Sequence, residues 1–178
     1  MINIIIGITI IVLGIILDQV VKLIIASNMN LKESFQVLGD FFKITYVKND
    51  GAAFSSFAGN KGFLIFITIV ALVIFGYLFK SVDFKKKKLF SLGISFMISG
   101  AIGNFIDRIF RGEVVDMFDF VIFGWDFAVF NVADIFLTVG VGLLAIDVLF
   151  FSEKEMIKEI YDKEDFDEGI DRDNSNEG

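Results

Sequence analysis

Four long apolar runs separated by shorter polar stretches organise the chain. The first extends from Ile2 to about Ala26 and is interrupted by Asp18 and Lys22. The others extend from about Gly62 to Phe79, Leu89 to Phe110 and Val132 to Phe151. Each has roughly the 20 residues that a helix needs to cross the hydrocarbon core of a bilayer. The pattern therefore predicts spans at about 2–26, 62–79, 89–110 and 132–151. The first run lacks a basic n-region and is long for the apolar part of a signal peptide, so an uncleaved spanning helix is expected.

Between the runs the period changes. Phe42-Lys-Ile-Thr-Tyr-Val-Lys48 alternates apolar and polar residues, as a half-buried strand does. Val114 to Phe130 is rich in β-branched and aromatic residues, with a turn signal at Phe123-Gly-Trp-Asp126. The fold class predicted is a membrane all-α core, a four-transmembrane-helix bundle, with a small extracytoplasmic β-sheet on the outer membrane surface. Aromatic rings on that sheet suit the membrane interface. No repeat or proline-rich linker is visible, so one peptide-chain domain, residues 1–151, is expected, followed by a tail, residues 152–178.

Composition sharpens the membrane reading and narrows the chemistry. Of 178 residues, 55% are hydrophobic, too many for an ordinary soluble domain. Cysteine and histidine are both absent. That excludes Ser-His and Cys-His nucleophile pairs and any zinc site built on His or Cys. No metal and no cofactor are expected. The formal charge of −7 belongs to the tail, where residues 152–178 hold four basic and eleven acidic side chains. Twelve charges of each sign remain in residues 1–151. The tail reads as a solvated, acidic, cytoplasmic appendage.

Charge also orients the bundle. The segment after the second run holds Lys80, Lys85, Lys86, Lys87 and Lys88 against Asp83 alone. Basic loops stay in the cytoplasm. Four crossings then place both termini inside and residues 27–61 and 111–131 outside.

Ionisable groups inside spans are costly and mark function. Here they are Asp18, Lys22, Asn104, Asp107, Arg108, Asn131 and Asp134, with Asp116 just after the third run. The topology gathers them in one layer towards the outer surface. Asp116 and Asp134 are separated by a predicted hairpin, which can return them to neighbouring positions. Two close carboxylates share a proton, and then one can activate water while the other acts as acid. The competing view is that both merely cap a turn and a helix start. Asn104 and Arg108 are i,i+4 neighbours, and Arg108 could hold a carboxylate or phosphate, or simply snorkel to the interface. Asp18 and Lys22, also i,i+4, read as a structural ion pair bordering the site, or as a snorkelling lysine with its neutralising acid. Asp147 reads as interfacial, and Ser95 and Ser99 as returning hydrogen bonds to their own helix. Gly51 in Asn49-Asp-Gly-Ala-Ala-Phe54 permits close backbone approach to a ligand, or an ordinary turn.

The chain resembles the lipoprotein signal peptidases (signal peptidase II). Asp18-Gln-Val-Val-Lys22 looks like the family's D-Q-x-x-K, and Asn49-Asp-Gly-Ala-Ala-Phe54 like its N-x-G-A-A-F. Gly100-Ala-Ile-Gly-Asn104, Asp107-Arg108, Gly112 and Val114-Val-Asp116 look like G-x-x-G-N-x-x-D-R…G-x-V-x-D. Phe130-Asn-Val-Ala-Asp134 looks like F-N-x-A-D. Met117 replaces the usual Phe, and Ile135 a usual small residue; neither removes a catalytic group. The resemblance implies an aspartic endopeptidase that removes signal peptides from diacylglyceryl-modified prolipoproteins, cleaving before the lipidated cysteine. It implies Asp116 and Asp134 as the catalytic dyad. It assigns substrate binding or support to Asn49, Gly51, Asn104, Arg108, Asn131, Asp18 and Lys22. The implied partners are prolipoprotein substrates, membrane lipid and a globomycin-type inhibitor, with no nucleic acid, for a monomer in the bacterial cytoplasmic membrane. Two rival classes remain on the residues alone: a proton-relay transporter, which needs titratable groups spread through the depth, and an assembly subunit packed on small residues such as Gly93 to Gly103.

Overall fold

The computed structural model describes residues 1–51 and 59–152. Helix α1 spans Ile2–Asn28, followed by strands β1, Ser34–Leu38, and β2, Phe42–Asn49. Helices α2, Lys61–Phe79, and α3, Lys88–Phe110, come next. Strands β3, Val114–Ile122, and β4, Trp125–Asp126, lead into α4, Val132–Asp147, which ends in a π-helical segment, Val148–Ser152. All four predicted spans are present within two residues at most of the expected starts and ends, apart from this π-helical close of the fourth. The small sheet is present too. The tail and Ala52, Ala53 and Phe54 of the Gly51 motif lie outside the described residues.

Helices form here because a chain in hydrocarbon has no water to satisfy its peptide groups. Their packing is decided by side-chain size. Helix α3 is the most buried of the four, and α1, α2 and α4 all pack on it. It carries the small residues that make this possible. A Cβ on Gly93 would come within 2.9 Å of the Gly140 carbonyl, so α3 and α4 pass almost backbone to backbone. A Cβ on Gly103 would stand 2.6 Å from Asp18 Oδ2, so the same small-residue face admits the α1 carboxylate.

The sheet has the order β1-β2-β3-β4, antiparallel throughout. Between Ile122 and Trp125 the chain turns on Phe123 and Gly124, both at positive φ. Two such residues form the tight hairpin whose twist matches that of paired strands. The return arm is short: β4 has two residues, and pairing resumes only at the Phe118–Phe130 bridge. Phe42, Phe118, Phe120 and Phe130 pack ring against ring across this region.

At the opposite end of the bundle the lysine-rich loop is tied down by Asp83. Its carboxylate accepts the backbone N–H of Lys85 and of Lys86 and the Asn3 amide, and these hydrogen bonds, that of Lys85 foremost, hold it below the usual carboxylate range.

Two of three polar residues read from the sequence depart from expectation. Ser95 returns its hydroxyl to Ser91 O at 2.7 Å as expected, but Ser99 Oγ has no hydrogen-bond partner among the described residues. Ser99 instead packs against Gly14 on α1, and the room left by the missing side chain there is filled by the hydroxyl. Asp147, read as interfacial, is buried.

Candidate active site

Asp116 reaches the site from β3 and Asp134 from the first turn of α4. Asn131 is the N-cap between them. Its Oδ1 accepts the Asp134 N–H at 3.0 Å, and the Asp134 carboxylate accepts the Asn131 N–H at 3.1 Å. This reciprocal pair is a capping box, which fixes the start of the helix and with it the Asp134 carboxylate. Capping, offered from sequence as the alternative to a dyad, is therefore real, and it coexists with the approach of the two acids. The Phe118–Phe130 bridge delivers the next residue, Asn131, to Asp116.

Three asparagine amides then surround the carboxylates. Asn131 Nδ2 donates to Asp116 Oδ1 at 2.6 Å, and Asn49 Nδ2 to Asp116 Oδ2 at 2.9 Å. Asn49 can do so because it pairs with Val114, two residues before Asp116 on the same face of the neighbouring strand. Asn104 Nδ2, from α3, donates to Asp134 Oδ1 at 2.8 Å. All four carboxylate oxygens thus accept an N–H. Asp116 is 2% exposed. Burial pushes its carboxyl up to about 6, helped by the charge of Asp134 and opposed by the hydrogen bond from Asn49.

The ion pair expected at the border of the site is deeper than a snorkelling lysine would be. Lys22 is fully buried and contacts Asp18 at 2.9 Å, Asp107 at 2.8 Å and Asn104 Oδ1 at 2.9 Å. Asp18 turns its other oxygen to the Ala133 N–H on α4 at 2.9 Å. Arg111, the C-cap of α3, pairs with Asp107 one turn back. Gln19 closes the cluster by donating to Asp18 Oδ2 and to Gly103 O, each at 3.1 Å. Three charges, Asp18, Lys22 and Asp107, are buried together, and the exposed Arg111 supplies the second cation, so the buried acids are paired as charges must be when water is excluded. Sequence reasoning set Asp107 in the polar layer and Gln19 within a motif but assigned neither a role in the site. The i,i+4 spacing of Asp107 and Arg111 was the available signal for the first, and adjacency to Asp18 for the second.

A cavity of about 1010 Å³ opens beside Asp116 and Asp134. Asp116, Asp134, Asn49, Gly51, Asn104 and Arg108 are in its wall. Ile67, Ala71 and Phe75 of α2 and Ile135, Leu137 and Val139 of α4 give it an apolar lining. Asn131, Asp18 and Lys22 are not in the wall and stand behind it. Arg108 Nη2 donates to Gly51 O at 3.0 Å, and Gly51 N–H donates to Asn49 Oδ1 at 2.9 Å. Arg108 is thus committed to the chain that carries Asn49, and does not snorkel away. The arrangement presents two carboxylates, one of them poised to hold a proton near neutrality, to a large apolar space at the sheet end of the helices. General acid-base attack by water on a carbonyl is within its reach.

The signal peptidase (SPase) II family model matches residues 10–150. The chain is 46% identical to a lipoprotein signal peptidase of Staphylococcus haemolyticus over 134 residues, covering 75% of this chain and 84% of that one. It is 43% identical to a lipoprotein signal peptidase of Staphylococcus aureus over 154 residues, covering 86% and 94%. Among solved structures, a bacterial membrane enzyme determined in meso at 2.3 Å superposes with a TM-score of 0.75 at 44% identity, over 80% of this chain and 87% of that one. A second, determined at 1.9 Å, gives 0.73 at 43% identity over 82% and 94%.

Proposed function

This chain belongs to the signal peptidase II family, and from that premise we propose that it is an aspartic endopeptidase of diacylglyceryl-modified prolipoproteins, cleaving before the lipidated cysteine. The observation that carries the aspartic reading is the pair Asp116 and Asp134, held by one asparagine and open to one apolar cavity. Asp134 is the general base. Two N–H donors and the positive end of α4 suit its negative charge while it takes a proton from water. Asp116, buried and with its carboxyl raised to about 6, is the general acid that protonates the departing amine. The water oxygen adds to the carbonyl carbon, the C–N bond breaks, and the acid and base exchange roles to restore the single shared proton.

Asn49, Asn104 and Asn131 hold the dyad by neutral donors. Arg108 and Gly51 shape the wall where the substrate backbone lies, and Asp18 and Lys22 support from behind. The diacylglyceryl chains occupy the apolar part of the cavity, which is large enough for lipid and peptide together. A globomycin-type cyclic peptide competes for the same space. The protein works as a monomer in the bacterial cytoplasmic membrane, with residues 1–151 as the peptidase domain, both termini and the acidic 152–178 tail in the cytoplasm, and the site near the outer surface. Clustering of the site groups at one end of the bundle favours a peptidase over a proton relay.

The test is cleavage by detergent-solubilised protein of a diacylglyceryl-modified prolipoprotein beside its unlipidated form. The lipidated form alone is cut, and Asp116→Asn or Asp134→Asn, folded and inserted, lowers turnover by several orders of magnitude. Near-normal turnover in either variant overturns the dyad.

A further inference from the structure

Amides near a carboxylate are useful only if the right end faces it. Each of the three asparagines has its oxygen claimed by a group that can only donate. Asn49 Oδ1 is claimed by the Gly51 N–H at 2.9 Å and Asn131 Oδ1 by the Asp134 N–H at 3.0 Å. In both, the donor is backbone a few residues away, so the orientation is a local property of the turn or cap. Asn104 differs. Its oxygen is claimed by the Lys22 ammonium at 2.9 Å, from another helix. Asn131 Nδ2 donates to that oxygen as well, at 3.1 Å, with its second N–H, the first going to Asp116 at 2.6 Å, so the ammonium is the nearer of two donors there. An ammonium has donors and no acceptor. Asn104 therefore turns its nitrogen the other way, to Asp134 Oδ1 at 2.8 Å.

We propose that Lys22 is a positioning residue for the reaction, acting through Asn104: its ammonium sets the Asn104 amide so that an N–H, and not a carbonyl oxygen, meets the Asp134 carboxylate. This rests on the reading of Asp134 as a catalytic carboxylate. A lysine serving only to neutralise Asp18 needs no third contact, and Arg111 already balances Asp107. Without Lys22 the Asn104 oxygen keeps only the longer contact from Asn131, and the turned orientation, which opposes acceptor to acceptor at Asp134, is held off less firmly. The loss falls on the chemical step, because the Lys22 side chain lies behind the cavity wall and touches no substrate.

The experiment is a double-mutant cycle of Lys22→Met and Asn104→Ala in the full chain, reading kcat, KM and melting temperature with the lipidated prolipoprotein. Lys22→Met lowers kcat about 10²-fold, the scale for a misplaced catalytic group, with KM little changed. Asn104→Ala does the same, and the double variant is no slower than Asn104→Ala alone. If the two losses multiply, or if Lys22→Met lowers only the melting temperature, Lys22 is merely structural and the proposal is wrong. Should Lys22→Met fail to accumulate, Asp18→Asn is added to all four proteins, removing one buried anion with the cation, and the cycle is read in that background. A failure here is distinct from a failure of the aspartic mechanism: an inactive Asp134→Asn with a multiplicative cycle overturns only the role of Lys22, and an active Asp134→Asn overturns both.

Discussion

Asn131 Nδ2 lies 2.6 Å from Asp116 Oδ1, while the other end of the same side chain caps α4. One residue therefore does two separable jobs. Asn131→Ala removes both, and should cost about 1 kcal/mol of stability for the cap as well as turnover. Asn131→Asp keeps an oxygen for the cap but sets a second acid against Asp116. Its melting temperature should stay nearer the parent than that of Asn131→Ala, and its turnover should fall by about 10² or more. Equal activity of Asn131→Asp and the parent protein would show that the N–H to Asp116 is not needed.

The raised carboxyl of Asp116 has a signed effect on stability. Its folded value, about 6, exceeds the ordinary 3.8, so the folded state binds the proton more tightly than the unfolded state. That contribution is complete below about 3.8 and is lost as pH rises through about 6, amounting to about 3 kcal/mol by linkage. Melting in detergent should therefore show stability declining across that window, and Asp116→Asn should flatten the decline. A decline unchanged in Asp116→Asn would assign it to another group.

The same proton governs activity. Under the proposed dyad mechanism cleavage needs the singly protonated pair, so kcat/KM should follow a bell whose alkaline limb lies near 6, with both limbs belonging to the dyad as a unit. Bound lipid dries the site further, so the alkaline limb of kcat should lie higher than that of kcat/KM. An alkaline limb unmoved by substrate would contradict a buried acid.

Chelation tests the donor set. N–H groups of Asn49, Asn104 and Asn131 point at the carboxylates, and a hard cation would meet those same hydrogens. Excess EDTA should leave cleavage intact. Loss of turnover restored by magnesium or manganese would make Asp116 and Asp134 metal ligands.

Sidedness is testable because the chain has no cysteine of its own. A cysteine placed at position 86, in the lysine-rich loop opposite the sheet, should resist an impermeant thiol reagent applied to intact cells and react after lysis. Labelling from outside would invert the topology.

Much of this site is visible in the sequence because the membrane magnifies polar residues. Asp18, Lys22, Asn104 and Asp134 stand out against apolar runs, and the Phe123-Gly124 turn announces the hairpin that brings Asp116 back. Strand β1 was not foreseen: every residue in it is exposed, so no burial pattern marks it, and it forms because the Gly39–Phe41 turn folds it onto β2. The depth of Lys22 was equally hidden. Snorkelling and burial use the same residue at the same position, and the choice is made by Asp107 and Asn104, 85 and 82 places further along the chain. The burial of Asp147 and the solitary Ser99 hydroxyl follow from how helices meet, which hydropathy does not encode.

The three amides around the dyad have a consequence for how the enzyme meets a changing medium. An amide neither gains nor loses a proton anywhere in the range that living cells encounter, and among the described residues Asn49, Asn104 and Asn131 are the side chains that donate to the two carboxylates. An imidazole in their place would change its own charge with acidity, whereas these amides keep a constant frame. Under the aspartic mechanism proposed above, acidity then reaches the reaction through the occupancy of one proton between Asp116 and Asp134.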